Sequence, residues 1–102
     1  MYALNPQATP ARLGGANQSE EDSLATVLLV EDDHLFAQEV RKYLERNFFE
    51  VTIRRDGEGL EELVQARRFD IVILDWMLPG RDGISLCRLL RPLTDALLLV
   101  FT

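Results

Sequence analysis

Four short apolar runs, separated by stretches of helical periodicity, restrict this chain to a small set of folds. Val27-Leu28-Leu29-Val30 lies in a strand reading from about Thr26 to Glu31. Beyond it Phe36, Val40, Tyr43 and Leu44 recur at spacings of three and four, the stripe of an amphipathic helix that Asp32 or Asp33 can cap. Val51 and Ile53 alternate with polar neighbours as a second strand, which Asp56-Gly57 breaks before a helix carrying Leu60, Leu63 and Val64 inward. Ile71 to Asp75 is the third strand. Pro79-Gly80-Arg81-Asp82-Gly83 then opens a helix with Ile84, Cys87 and Leu90 or Leu89 on its core side, ended by Pro92. Ala96 to Phe101, apolar throughout, is the fourth strand. Strand, helix, strand, helix, strand, helix, strand is the alternation of an α/β fold: a parallel sheet with helices on both faces.

The first and third strands end in acid. Val30 is followed by Glu31, Asp32 and Asp33, and Leu74 by Asp75 and the turn Trp76-Met77-Leu78-Pro79-Gly80. Parallel strands deliver both groups to one sheet edge, where open α/β folds bind ligands. Two carboxylates about 4 Å apart repel by roughly 4 kcal/mol at an effective dielectric of about 20, so a proton or a cation must compensate. All-oxygen ligation points to magnesium.

Composition narrows the partners. The formal charge of −6 in 102 residues excludes direct nucleic-acid binding by this segment, because phosphate contacts need clustered Lys and Arg. Arg54-Arg55 and Arg67-Arg68 read as solvated faces. Cys87 is the single cysteine, which rules out an intrachain disulfide and suits a reducing cytosol. No apolar stretch approaches the roughly 20 residues of a membrane span, and the N-terminus has no signal-peptide core. The chain is expected to be cytoplasmic. Residues 1–23, with Pro6, Pro10, Gly14, Gly15 and the acidic Glu20-Glu21-Asp22, lack periodicity and read as a flexible leader before a domain spanning 24–102.

Glu31-Asp32 after a first strand, Asp75 after a third, Met77-Leu78-Pro79-Gly80 with Asp82-Gly83, and Thr102 after a fourth resemble the receiver domain of two-component response regulators. The turn wording is most similar to receivers joined to a winged-helix DNA-binding domain. The resemblance implies a flavodoxin-like fold and a phosphoacceptor rather than an enzyme. Asp75 would take a phosphoryl group from a sensor histidine kinase or phosphotransfer protein and relay it to an output. Mg2+ would be held by Asp32, Asp75 and the Met77 backbone carbonyl, with Glu31 acting through water. Thr102 would be the switch hydroxyl. The kinase would read the first helix through Gln38, Arg41 and Lys42, and receiver–receiver dimers belong to the same implication.

The chain departs from that pattern in one respect. A receiver needs a fifth strand bearing a Lys, and the single Lys here, Lys42, precedes Asp75. The sheet is therefore expected to be incomplete, with four strands and three helices, the fifth strand and last two helices absent, Ala96 to Phe101 an unpaired edge, and the chain a fragment. The rival reading is a degenerate receiver serving only as a protein–protein interaction module. An aspartyl phosphohydrolase would want a second acid where Met77 stands, and a dinucleotide site would not tolerate Glu31-Asp32-Asp33. His34 has no second His or Cys beside it in the sequence and reads as a surface residue, Asp33 as a cap, and Trp76 as packing beside the site.

Overall fold

The computed structural model describes residues 2–3 and 24–101. Its elements follow in order: β1 (Tyr2–Ala3), β2 (Ala25–Val30), α1 (His34–Arg46), β3 (Phe49–Arg54), α2 (Leu60–Ala66), β4 (Ile71–Asp75), β5 (Met77–Leu78), β6 (Arg81–Asp82), α3 (Gly83–Leu90), a 3-10 turn (Arg91–Leu93) and β7 (Leu97–Phe101). β7, β4, β2 and β3 form a parallel sheet of four strands in that spatial order, and the three helices pack against it. The fold is the flavodoxin-like arrangement expected, with two additions. β5 and β6 make a small antiparallel hairpin, and β1 pairs antiparallel with the outer edge of β7. The expectation of a bare β7 edge is thus corrected over two residues, Tyr2 opposite Val100 and Ala3 opposite Leu99. The remainder of the leader, residue 1 and residues 4–23, lies outside the described residues, as does Thr102.

β2 runs through the middle, and Val27, Leu28, Leu29 and Val30 are all 0% exposed because helices cover both of its faces. The pleat sends alternate residues to opposite faces. Leu28, Val30, Val72, Leu74, Leu98 and Val100 meet Leu60 and Val64 of α2 and Leu86, Cys87 and Leu90 of α3 in the larger core. Val27 and Leu29 meet Ala37 and Val51 in the smaller one, against Val40 and Leu44 of α1. Of the stripe expected on α1, Val40 and Leu44 pack inward, whereas Phe36 is 43% and Tyr43 60% exposed. Phe36 reaches the sheet only sideways, its ring 5.7 Å from that of Phe101. On α3, Leu90 is buried and Leu89 faces solvent.

At the end of the sheet opposite the acidic residues, Asp70 is 1% exposed and pins two strands together. Its Oδ2 accepts from the Thr26 amide at 2.8 Å, and its own amide donates to the Thr26 carbonyl at 2.9 Å. No periodic signal marks Asp70, because its role is to satisfy backbone groups where β2 begins and β4 has not yet started.

Candidate metal centre and phosphoacceptor site

The register builds the site. Val30 of β2 lies opposite Leu74 of β4, so the residues that follow, Glu31 and Asp75, leave the sheet side by side. Val30 also lies opposite Arg54, and the Glu31 amide donates to the Arg54 carbonyl at 2.9 Å, holding the first acid in line with the sheet. Asp32 comes next, at the start of the turn into α1. One carboxylate oxygen from each of Glu31, Asp32 and Asp75 lies within 4.8 Å of the other two. Glu31 is buried at 5% exposure, Asp75 half-buried and Asp32 exposed, so the cluster opens toward solvent on the Asp32 side.

Electrostatics follow from that packing. Burial pushes the Glu31 carboxyl up to about 7; the Asp33 amide, donating to Glu31 Oε2 at 3.0 Å, pulls it down, and the neighbouring Asp75 charge raises it further. Hydrogen bonds from the protonated Glu31 to Asp75 and Asp32 add to the rise. A proton is therefore one way of relieving three acids at one point. Three converging oxygens, hard and anionic, also suit a small divalent cation. Asp33 is not in the cluster: its Oδ1 accepts from the Phe36 amide at 3.1 Å and caps α1.

The turn after β4 is anchored at both ends. The Met77 amide donates to Asp75 Oδ1 at 3.2 Å, leaving the Met77 carbonyl on the same turn as the acid. The Trp76 amide donates to the Phe101 carbonyl at 2.8 Å, and the Trp76 carbonyl accepts from the Gly83 amide at 2.7 Å. Asp82 caps α3 by accepting from the Ser85 amide at 2.7 Å and its hydroxyl at 3.0 Å, which holds the Asp82 carboxyl below the usual range. A Cβ on Gly83 would meet the Asp75 carbonyl oxygen at 2.6 Å and Val100 Cγ1 at 3.0 Å, so only glycine lets α3 begin this close to Asp75. Trp76, 41% exposed, stands beside the acids and lines a cavity of about 700 Å³ with Met77, Arg81 and Leu89.

Arg55, Asp56 and Pro79 line a second cavity, of about 330 Å³, with Asp32. The sequence placed Arg55 on a solvated face; only the opposition of Val30 and Arg54 brings it next to the cluster. His34, at the first turn of α1, is exposed as expected.

The profile of the response regulator receiver domain matches residues 27–102. This chain belongs to the response regulator receiver domain family. Receivers with the same arrangement include that of the Francisella response regulator 1452, which superposes with a TM-score of 0.62 at 35% identity over 67% of this chain and 56% of that one. A response regulator from Burkholderia pseudomallei, whose crystal structure has a phosphorylated aspartic acid, calcium ion and citrate, superposes at 0.68 with 28% identity over 74% of this chain and 45% of that one. In sequence the chain is 49% identical over 65 residues to the transcriptional regulatory protein CseB of Streptomyces coelicolor, covering 64% of this chain and 28% of CseB. It is 44% identical over 68 residues to the phosphate regulon transcriptional regulatory protein PhoB of Rhizobium meliloti, covering 67% of this chain and 30% of PhoB. This receiver thus spans less than a third of the length of those relatives. Among its described residues no helix is long and apolar enough to cross a membrane.

Proposed function

We propose that this receiver is the phosphoacceptor of a two-component system, with Asp75 the residue phosphorylated. The observation that carries the reading is the convergence of Glu31, Asp32 and Asp75 within 4.8 Å at the sheet edge. Phosphoryl transfer asks the protein for a positioned nucleophile and charge compensation over the equatorial oxygens, and little covalent chemistry beyond that. Asp75 supplies the nucleophile. One of its oxygens bonds to phosphorus as the P–N bond of a donor phosphohistidine breaks, the electron pair staying with the imidazole nitrogen. The Met77 amide holds Oδ1, which leaves the second oxygen to face the donor. Asp32, Asp75, the Met77 carbonyl and, through water, Glu31 are the groups that would hold Mg2+. Bound there, Mg2+ would neutralise charge on the transferring phosphoryl group.

Thr102 is the proposed switch hydroxyl. Trp76, bonded to the Phe101 carbonyl, links Asp75 to the strand that leads to it. The partner is a sensor histidine kinase or phosphotransfer protein reading α1, where Lys42 is exposed; Gln38 is half-buried, and Arg41, expected to be exposed, instead turns to β3 and donates to the Val51 carbonyl at 3.3 Å. The output is transcriptional, as the names of CseB and PhoB support, and the place of action is the cytoplasm. The receiver relays phosphate and turns over no substrate of its own.

Intact-mass measurement after incubation with acetyl phosphate and Mg2+ tests the assignment. A single phosphate adduct that disappears in Asp75→Asn is expected. Equal labelling of the variant would refute it. A second reading is a degenerate receiver that acts only as an interaction module, without phosphotransfer. No adduct in the wild type, together with retained Mg2+ binding, would select that reading.

A further inference from the structure

Arg55 is a cation beside the acidic cluster to which nothing so far gives a task. Val30 lies opposite Leu74 on one side and Arg54 on the other, so three positions stand level across the sheet: Asp75 at the end of β4, Glu31 after β2 and Arg55 after β3. The bond from the Glu31 amide to the Arg54 carbonyl, 2.9 Å, fixes that alignment up to the residue before Arg55. Neighbouring strands stand about 4.8 Å apart, which puts the Arg55 backbone roughly 10 Å from that of Asp75 with Glu31 between them. Arg55 and Asp32 line one cavity with Asp56 and Pro79, on the side where the exposed Asp32 opens the cluster to solvent. The neighbouring cations are engaged elsewhere. Arg54 Nη1 donates to the Ile53 carbonyl at 3.1 Å, and Arg81 pairs with Glu61 at 3.6 Å. Asp56 accepts from the Glu58 amide at 2.9 Å, and among the described residues Arg55 makes no ion pair with it or with any other acid.

We propose that Arg55 sets the charge preference of this site, favouring a phosphoryl group on Asp75 over Mg2+ alone. With Asp75 the phosphoacceptor, on which this rests, the sign of each effect follows from charge. Binding of Mg2+ brings two positive charges toward the guanidinium, so Arg55 opposes it. Phosphorylation turns one ionised carboxylate into an acyl phosphate carrying two negative charges, so Arg55 favours it. Screening acts over about 10 Å at 0.1 M salt, comparable with the separation, which leaves the guanidinium a reduced effect rather than none. Asp56 adds its own negative charge to the cavity, but it is the same with and without Arg55 and drops out of the comparison. A residue that merely packed the loop would give no such split, because its loss would weaken both ligands together.

The test measures two dissociation constants of the full chain by calorimetry at low salt. One is for Mg2+ alone, the other for the beryllium trifluoride anion at saturating Mg2+, which bonds to an aspartate oxygen as a phosphoryl group does and adds the same single negative charge. In Arg55→Gln the Mg2+ constant should fall about threefold and the beryllium trifluoride constant should rise about twofold. Arg55→Lys keeps the charge and should stay near wild type on both. Each shift should shrink as salt is raised to about 0.5 M. Two constants that move in the same direction would give Arg55 a structural role, and two that do not move would return it to a solvated face; either overturns the proposal. So would an Arg55→Lys variant that behaves as Arg55→Gln. A wild type that binds Mg2+ yet neither binds beryllium trifluoride nor takes phosphate from acetyl phosphate would refute the phosphoacceptor reading itself, and the role of Arg55 with it.

Discussion

At Glu31 the burial that makes the site also makes it expensive. The side chain is 5% exposed and its carboxyl is pushed up to about 7, burial leading and the Asp75 charge adding, with the Asp33 amide opposing. A group raised in the folded state from the usual 4.5 contributes stability below that value and loses it as pH rises through about 7. The metal-free chain should therefore melt lower at about pH 8 than at about pH 6, and Glu31→Gln should flatten that part of the profile. Saturating Mg2+, held by Asp32 and Asp75 with Glu31 reaching it through water, favours the ionised Glu31 and should abolish the difference in the wild type. Thermal unfolding at the two pH values checks all three, and an identical slope in Glu31→Gln would remove Glu31 as its source. Trp76 adjoins Asp75 and offers a second readout. Its emission should change on Mg2+ titration, weakly if at all in Asp32→Asn or Asp75→Asn. An undiminished change in both variants would place the metal elsewhere.

Helix α3 shows what a sequence can and cannot disclose about an element. Its existence, its opening after Pro79-Gly80-Arg81-Asp82-Gly83 and its inward Ile84 and Cys87 were legible because periodicity and turn residues are local signals, while the choice between Leu89 and Leu90 needed the packing. The hairpin of β5 and β6 was not, since two-residue strands leave no pattern, and neither was the reason for Gly83, whose Cβ would strike a carbonyl from a strand eight residues earlier. The same limit applied on α1, where Phe36 and Tyr43 fit the stripe but lie beyond the sheet that would cover them. Gly83→Ala, with backbone at 2.6 Å and therefore little able to yield, should cost about 1 to 3 kcal/mol in denaturant unfolding. It should also lower phosphate uptake by Asp75, because α3 must retreat from the turn that positions the acid. A variant of unchanged stability and uptake would mean that the helix shifts freely. Cys87 gives α3 a probe of its own. The thiol is fully buried and raised to about 11, burial outweighing the opposing Arg91 charge, so at neutral pH it should react with a disulfide reagent only when the domain opens. Labelling in native conditions as fast as in denaturant would contradict the packing.

Among the described residues the two faces of the sheet are unequally covered. The meeting of Glu31 and Asp32 with Asp75 was readable from apolar runs ending in acid, whereas the strand order came only with the resemblance to receivers. The unequal cover follows from where three helices fall, a property of packing that no single segment carries. α2 and α3 bury the face that holds Leu98 and Val100, whereas α1 lies over β2 and β3 and leaves Leu97 and Leu99 of β7 half-exposed. The pair Leu98 and Leu99 compares the faces at adjacent positions with the same side chain. Leu98 is 0% exposed, so Leu98→Ala forfeits the full transfer term and leaves a cavity, about 2 to 5 kcal/mol. Leu99 has water on part of its surface already, and the solvent that reaches it would fill the space left by truncation. Leu99→Ala should thus cost less than half as much, its loss limited to the fraction of the side chain that is covered. Denaturant unfolding of the two variants side by side decides the matter, provided the slope with denaturant is the same for both. Equal losses would mean that Leu99 is buried in solution, and that the face beyond α1 is covered in the folded chain after all.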